Sequence, residues 1–276
     1  MTEIEQLEIF SNKIRKTSLD MALSAGKAGC HIGGGFSCIE IFAVLYGKIL
    51  NVDAKDPVNE NRDRFIPSKA HCILPNFASL LHTGFIGQND ILSFHENGGL
   101  LAGHPENREI GLEFSGGSLG MGLSVGIGMS LAAKRKGLSH KTYVLLGDGE
   151  CNEGSVWEAF MSAAQFRLDN LIVVVDYNNM QFDGVNDVIM GLAPLDEKLK
   201  AFGWQTVSCN GHNIGELLNA FEMPHPEKPL AIIAHTIKAH GIPSLENKAE
   251  SHHAALSQED YDFVINAMKD GSYGRI

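Results

Sequence analysis

The chain has 276 residues, and 44% of them are hydrophobic, which is enough for a sizeable core in one large or two small domains. Its formal net charge is −11, which argues against binding to nucleic acids or anionic membranes. The five cysteines are scattered and contain no CxxC pair, which is typical of reduced thiols. The N-terminus lacks a secretory-signal layout, and the longest nearly apolar run, Met121–Ala133, is too short for a membrane span. We therefore expect a cytoplasmic protein.

Helices and strands alternate along the chain, which favours an α/β fold with a mostly parallel central sheet and helices on both faces. We expect a single domain over residues 1–276. Two pairs, Thr2 with Glu5 and Ser37 with Glu40, have capping-box spacing at the start of predicted helices. The predicted helices are Thr2–Ala25, Ser37–Leu50, Asn76–Thr83, Asn89–Phe94, Ser115–Lys136, Val156–Phe166, Leu195–Ala201, Ile214–Phe221 and Ser257–Met268. The predicted strands are a short one within Arg62–Cys72, then Tyr143–Leu146, Leu171–Val175, Gln205–Cys209 and Leu230–His235.

Two glycine-rich stretches precede predicted helices. Within Gly26–Gly35, the segment Cys30–Gly35 contains His31 and three consecutive glycines, and it is predicted to be a flexible loop. Ser115–Gly122 opens the helix that ends near Lys136, although glycine costs helix stability. We therefore expect this second stretch to permit close packing or the approach of a cofactor, with contacts from Gly116, Ser118 and Leu119.

The most specific pattern lies between Tyr143 and Gly184. A short apolar run breaks at Gly147-Asp148-Gly149, an amphipathic helix follows, and a second apolar run ends in Asp176-Tyr177-Asn178-Asn179. The connection is too long for a hairpin, so the two strands are predicted to be parallel neighbours. Asp148 and Asn178 would then meet at the carboxyl edge of the sheet, where open α/β sheets bind ligands.

These residue types suit a metal held together with a phosphate. One carboxylate and one amide oxygen form part of a hard-oxygen shell for Mg²⁺ or Ca²⁺, whose other ligands come from phosphate and water. Gly147 and Gly149 let the backbone approach such a ligand, and the following helix offers free N–H groups. A GDG sequence alone is more often a turn after a buried strand, but Asn178-Asn179 after the next strand favours the metal site. Cys151 lies nearby, and the motif implies no histidine partner that would make it a nucleophile.

GDG followed by Asn-Asn resembles the metal–diphosphate motif of the thiamine diphosphate enzymes. GDGECNEG and DYNNMQFDG resemble the transketolase family in particular. The resemblance implies thiamine diphosphate and Mg²⁺ (or Ca²⁺) as cofactors. It implies that Asp148, the Asn178 side chain and the Met180 carbonyl ligate the metal, that Gly147, Gly149 and Glu150 contact the cofactor, and that Glu153 lies at a subunit interface between two cofactors.

Four of the twelve histidines lie in stretches similar to transketolase motifs: His31 in GCHIGGG, His71 in SKAHC, His104 in GHPE and His252 in ESHHAAL. The resemblance implies that they surround the reactive carbon of the cofactor and the donor ketose and relay protons, with His71 and His252 also binding the cofactor. Histidine suits proton relay because its pKa lies near neutrality. His253 stands where the family usually has glycine, so either His252 or His253 could be the working residue.

The resemblance runs from His31 to about Leu256 and corresponds to the diphosphate-binding part of a full-length transketolase. We therefore expect the N-terminal subunit of a split transketolase of pentose phosphate and carbohydrate metabolism, active only with a C-terminal subunit that carries the pyrimidine-binding domain. The expected assembly is a heterotetramer. The expected reaction is the reversible transfer of a two-carbon ketol group between sugar phosphates.

Four alternatives stay open at the level of sequence. The chain could be a transketolase specialised for an unusual sugar phosphate. It could be the α subunit of a 2-oxo acid dehydrogenase, although GHPE and a glycine-flanked His31 would not be expected there. A fragment of a deoxyxylulose-phosphate synthase and a non-catalytic regulatory subunit with the same fold are the other two.

Overall fold

A computed structural model of the chain describes residues 1–101 and 106–270. Within them, five strands form one sheet, and every neighbouring pair in it is parallel. In chain order the strands are β1 (Arg64–Pro67), β2 (Thr142–Gly147), β3 (Leu171–Tyr177), β4 (Gln205–Asn210) and β5 (Leu230–His235). They lie side by side in the order β1-β2-β3-β5-β4, which confirms the predicted parallel α/β fold.

The helices largely follow the predicted pattern. The described helices are α1 (Glu3–Ser24), α2 (Ile32–Phe36), α3 (Ile39–Val44), α4 (Ile73–His82), α5 (Gln88–Leu92), α6 (Gly122–Lys136), α7 (Gly154–Gln165), α8 (Asn186–Ile189), α9 (Leu195–Phe202), α10 (Ile214–Phe221) and α11 (Gln258–Asp270). The Thr2–Glu5 capping box at the start of α1 is confirmed, with both reciprocal hydrogen bonds formed. These bonds satisfy backbone N–H groups that have no partner within the helix.

The sheet register brings the ends of three strands to one edge. Gly147 of β2 lies opposite Asp176 of β3, and Tyr177 of β3 lies opposite His235 of β5. The prediction that β2 and β3 are parallel neighbours is confirmed. All the residues that follow these strands therefore emerge at the same carboxyl edge.

Apolar layers cover both faces of the sheet, because the strands alternate their side chains between them. Val174 of β3 belongs to the layer that contains α1, α3, α4 and α10. Val173 and Val175 belong to the opposite layer, with α6, α7 and α9. The predicted placement of helices on both faces is confirmed.

The prediction of a flexible loop over Cys30–Gly35 is wrong. Its last four residues belong to the short helix α2, and all five residues of α2 are buried. Side chains would not fit here: a Cβ on Gly33 would lie 2.6 Å from Ser251 Oγ, and one on Gly34 would lie 2.5 Å from the His71 ring. The glycines permit close contact between α2 and the segments that carry these two residues.

The predicted capping box of Ser37 and Glu40 is also wrong. Cys38 precedes α3 without any side-chain capping bond. The Ser37 hydroxyl instead donates to Asp176 Oδ2 at 2.6 Å, and Glu40 pairs with Arg15. Both side chains bond to residues that are distant in the chain, so neither forms a local capping bond.

No helix among residues 1–101 and 106–270 has both the length and the apolar character that crossing a bilayer requires. All five cysteines are free, as the scattered pattern predicted, and all five are buried.

Candidate functional site

Asp148 lies at the point where the ends of β2 and β3 meet. It follows directly after β2, is only 2% exposed, and accepts hydrogen bonds from the backbone N–H groups of Gly149, at 2.8 Å, and Asn179. The Asn178 side-chain oxygen accepts from the Met180 N–H at 3.1 Å. The fold therefore brings together the GDG and Asn-Asn segments, which the sequence predicted to be neighbours.

The surroundings of Asp148 fit a bound cation. Burial, together with the neighbouring Asp176, raises the pKa of Asp148 to about 6. None of the ion pairs between described side chains includes Asp148. A buried carboxylate in this position is stabilised by a positive charge brought by a ligand.

The nearby polar atoms support the same conclusion. Buried atoms without a hydrogen-bond partner include Asn179 Oδ1, Gln181 Nε2 and both side-chain polar atoms of Asn186. A Cβ on Gly149 would lie 2.6 Å from Gln181 Cβ, so glycine is needed where the two segments touch. No group of three or more His, Cys, Asp or Glu side chains in the described part of the chain could hold a metal ion. The predicted set differs in kind, with one carboxylate, one amide and one backbone carbonyl, which are donors that suit Mg²⁺ beside a phosphate.

Glu150 and Glu153 occupy different environments. Glu150 is buried, and its carboxylate accepts from the N–H groups of Gly120, at 2.9 Å, and Gly147, at 3.1 Å, and from the Ser68 hydroxyl. It thereby joins the loop before α6 to the end of β2, and burial raises its pKa. Glu153 is exposed just before α7. Cys151 is fully buried and its pKa is raised by burial, so it is not an activated thiol.

The loop before α6 contains the other predicted cofactor contacts. Gly116 is buried, and a Cβ there would lie 3.2 Å from the Phe114 ring. Ser118 and Leu119 are exposed, and they precede Gly120, whose N–H donates a hydrogen bond to the Glu150 carboxylate. The two exposed residues are therefore accessible to a ligand or another chain.

Three predicted histidines form a cluster. The His31 ring centroid lies 5.8 Å from that of His71 and 5.6 Å from that of His252, and the His71 and His252 centroids lie 5.0 Å apart. Burial, and then Lys69, lowers the pKa of His71 well below its usual value, while burial and Lys238 lower the pKa of His252 to about 4. Both rings are therefore neutral near pH 7. His104 lies outside the described residues.

His253 lies at the outer side of this cluster. Its ring is 4.9 Å from the His31 ring, and the side chain is exposed. His252 has contacts on the inner side, with the Phe182 ring at 5.2 Å and with Lys238. The two adjacent histidines thus face different surroundings.

Lys238 connects the histidines to the Asp148 region, and the sequence analysis missed it. It is 2% exposed, and its Nζ donates to the Gln181 carbonyl at 3.0 Å and lies 3.5 Å from His252 Nδ1. Burial, and then Lys69, lowers its pKa to about 8. Like Asp148, it takes part in none of the ion pairs found between described side chains. Its position three residues after the β5 strand was the only available sequence signal.

A buried ion pair under the site was missed as well. Lys69 pairs with Asp176, which also accepts from the hydroxyls of Ser37 and Thr236. Burial alone would raise the pKa of Asp176, but Lys69 and these hydrogen bonds lower it, and Asp176 in turn raises the pKa of Lys69. Nothing in the local sequence indicates this pair, because its two members come from segments far apart in the chain.

Fold and site together define the class: a parallel α/β protein with a carboxylate, amides and neutral histidines at the carboxyl edge of its sheet. A profile of the family described as "Transketolase, thiamine diphosphate binding domain" matches residues 7–270. The chain belongs to this transketolase family.

Several relatives match over nearly their full length. The chain is 37% identical over 270 residues to an apulose-4-phosphate transketolase subunit of Phocaeicola vulgatus, and the match covers 97% of this chain and 95% of the relative. It is 38% identical over 267 residues to a 6-deoxy-6-sulfo-D-fructose transketolase subunit of a Clostridium species, and that match covers 95% and 96%.

Other relatives are longer. The chain is 32% identical to the transketolase of Homo sapiens over 267 residues, which covers 96% of this chain but 42% of the relative. The crystal structure of the transketolase from Campylobacter jejuni superimposes with a TM-score of 0.89 at 30% identity, and the match covers 98% of this chain and 43% of that one. The chain therefore spans less than half the length of these two transketolases.

Proposed function

We propose that the chain is the N-terminal, diphosphate-binding subunit of a two-subunit transketolase, with residues 1–276 acting as one domain. Its reaction is the reversible transfer of a two-carbon ketol group from a ketose phosphate to an aldose phosphate. One observation carries the proposal: Asp148 and the histidine cluster belong to one continuous site. His252 contacts Lys238, Lys238 contacts Gln181, and Gln181 packs on Gly149 beside Asp148.

The site residues fit thiamine diphosphate with Mg²⁺ (or Ca²⁺). Asp148, Asn178 and the Met180 carbonyl would hold the metal, and the backbone at Gly147 and Gly149 would approach the diphosphate. The buried Lys238 ammonium, which pairs with no carboxylate of the described residues, favours an anionic ligand in the same pocket. Gly116, Ser118 and Leu119 would contact the cofactor from the loop that Glu150 holds in place.

The histidines supply proton transfer and orientation. When bound, thiamine diphosphate supplies the acidic carbon that carries the ketol group. The ring nitrogens of His31, His71 and His252, together with His104, would hydrogen-bond the sugar hydroxyls. They would accept the proton of the hydroxyl that becomes the carbonyl of the leaving aldose when the carbon–carbon bond breaks, and return it in the reverse reaction. Burial and the neighbouring lysines lower the pKa values of His71 and His252, so each ring is neutral at pH 7 and has one nitrogen that can accept a hydrogen bond or a proton.

A C-terminal subunit with the pyrimidine-binding domain would complete the enzyme as a heterotetramer. Two relatives that match nearly end to end are themselves named as subunits, which supports a split enzyme. Exposed apolar side chains lie beside the site, among them Leu119, Phe182 and Val188, the last of which is 84% exposed. We infer that the partner subunit covers these side chains, because their burial at an interface would be favourable. Glu153 would lie at that interface.

A transketolase specialised for an unusual sugar phosphate is a second candidate. The name of one relative refers to apulose 4-phosphate, which favours this possibility. The name of another refers to a fructose that carries a sulfonate at carbon 6, so relatives of this chain also act on sugars with a different anionic group. The exposed His253 stands beside His31 at the outer side of the cluster and could contact the distal part of such a sugar.

The decisive experiment is calorimetric titration of thiamine diphosphate and Mg²⁺ into the chain, first alone and then mixed with a candidate C-terminal subunit. We expect tight binding in the mixture only. Tight binding and turnover by the chain alone would contradict the split-subunit proposal.

The matched variant for the metal is Asp148→Asn, which keeps the size of the side chain and removes its charge. We expect Mg²⁺-dependent cofactor affinity to fall by about 100-fold or more, because even the loss of a residue that only supports a metal ligand costs about 10- to 100-fold. Unchanged affinity would mean that Asp148 does not hold the metal.

A further inference from the structure

The turn after β5 carries Lys238 into the site in a strained conformation. Ala239, the next residue, has φ +55°, a left-handed backbone angle that is uncommon for a residue with a side chain. Such a conformation persists only where the surrounding structure holds it. The contacts that hold this turn therefore determine where the Lys238 ammonium lies.

Several hydrogen bonds hold the turn, and four of them come from the segments around Arg15, Gly33, His212 and Asn247. The backbone N–H of Ile237 donates to His212 Nε2 at 2.9 Å, and Arg15 Nη1 donates to the His240 carbonyl at 3.2 Å. The Ala239 N–H donates to the Gly33 carbonyl, and the Lys238 carbonyl accepts from the Asn247 N–H, both at 2.9 Å. Two of the four bonds depend on ionisable side chains, those of His212 and Arg15.

The geometry assigns the tautomer of His212. A backbone N–H can only donate, so Nε2 carries the lone pair and the ring proton is on Nδ1. Nδ1 lies 3.0 Å from Glu40 Oε2, and the Nδ1–H group donates a hydrogen bond to this oxygen. The other oxygen of Glu40 accepts from Arg15. Arg15, Glu40 and His212 thus form one connected chain, which we term the Arg15–Glu40–His212 network.

The network is built into the core of the molecule. Arg15 is fully buried in α1, Glu40 is 8% exposed in α3, and His212 lies in the turn between β4 and α10. Burial alone would raise the pKa of Glu40, but Arg15 and the hydrogen bond from His212 lower it to about 2. The carboxylate therefore stays charged near neutrality and fixes both of its partners.

We propose that His212 is a positioning residue: held by Glu40 and Arg15, it fixes the Ile237–His240 turn and so keeps the Lys238 ammonium between Gln181 and His252. The role of Lys238 toward a ligand rests on the proposed function, whereas the positioning of the turn does not. None of the three network residues belongs to a motif that pointed to the cofactor.

Two substitutions separate the two hydrogen bonds of His212. In His212→Gln, the amide oxygen is as many bonds from Cα as Nε2, so it can accept from the Ile237 N–H. In His212→Asn, the amide nitrogen is as many bonds from Cα as Nδ1, so it keeps the bond to Glu40 and loses the bond to Ile237. The two variants have similar polarity, and each serves as the control for the other.

The first test is amide hydrogen exchange on the full chain without ligand. We expect a peptide covering Ile237–His240 to exchange about tenfold faster in His212→Asn and within about threefold of wild type in His212→Gln. A peptide from β3 should be unchanged in both, which controls for global destabilisation. Equal exchange in wild type and His212→Asn would overturn the proposal, whatever the function of the protein.

The second test is a double-mutant cycle on thiamine diphosphate affinity in the mixture with the C-terminal subunit. We expect His212→Asn to weaken binding about tenfold in the wild-type background and less than about twofold in the Lys238→Met background, because residues that act together are non-additive. Equal effects in both backgrounds would refute action through Lys238. If the wild-type mixture binds no cofactor, the proposed function fails, and the exchange experiment alone decides the positioning of the turn.

Discussion

The two adjacent histidines, His252 and His253, differ in what surrounds their rings. The His252 ring lies 5.0 Å from that of His71, and its Nδ1 lies 3.5 Å from Lys238 Nζ. The His253 side chain is exposed, and its ring lies 4.9 Å from that of His31. The sequence left both residues open as candidates, and these contacts favour His252.

This difference predicts unequal losses of activity. In the assembled enzyme we expect His252→Ala to lower the rate of ketol transfer by about 100-fold, the usual size of a lost proton-transfer group. His253→Ala should lower it by less than about tenfold. Steady-state rates with saturating cofactor measure both, and calorimetry confirms that the cofactor still binds. A larger loss in His253→Ala than in His252→Ala would reverse the assignment.

At the scale of an element, the glycines of α6 fall into two groups. A Cβ on Gly126 would lie 2.6 Å from Val144 Cγ2, whereas a Cβ on Gly128 would have nothing within 4 Å. Val144 is fully buried in the central sheet, so its methyl group cannot move aside easily. Close packing of α6 on the sheet therefore requires glycine at position 126 and not at position 128.

Alanine substitutions test this distinction within one helix. Gly126→Ala should lower the free energy of unfolding by about 1–3 kcal/mol, because it overpacks the layer between α6 and the sheet. Gly128→Ala should raise it by about 0.5–1 kcal/mol, because alanine is the better helix former. Urea denaturation of the chain measures both. The same sign for the two variants would contradict the difference in packing between Gly126 and Gly128.

Much of the secondary structure could be predicted from the sequence, because apolar periodicity and the Thr2–Glu5 cap are local signals. The pairing of β2 with β3 followed from chain connectivity alone. The Ser37–Glu40 box could not be judged locally, since Asp176 and Arg15, the partners that take these side chains, are distant in the chain.

The parts of the site that lie in sequence motifs were predicted, and the parts formed by isolated residues were missed. Asp148 and Asn178 sit in recognisable motifs, and the strand register brought their segments together. Lys69 and Lys238 are isolated lysines, and their burial depends on the strand order β2-β3-β5, which local patterns do not specify. The helix α2 was missed because glycine has a low helix propensity, and the contacts that compensate come from His71 and Ser251.

At the scale of the whole molecule, several histidines are kept neutral by the fold, and this links stability to pH. The pKa of His252 is about 4 in the folded chain, because burial and then Lys238 lower it, and it returns to about 6.5 on unfolding. Between these values the unfolded chain binds more protons than the folded chain, so stability falls as the pH falls below about 6.5. Asp148 acts in the opposite sense, because its folded pKa, about 6, is raised above its unfolded value.

A comparison of two proteins isolates the histidine contribution from these opposing groups. We expect the free energy of unfolding of the wild-type chain to fall more between pH 7.5 and pH 5.5 than that of His252→Asn. The difference should be no more than about 1 kcal/mol, because the ring is partly exposed and solvent screens it. Urea denaturation at both pH values measures the difference, with a chelator present to remove divalent cations. Because both proteins have the same carboxylates, the opposing effect of Asp148 cancels in the comparison. Parallel pH dependences, or a steeper loss in His252→Asn, would show that the folded chain does not hold His252 neutral.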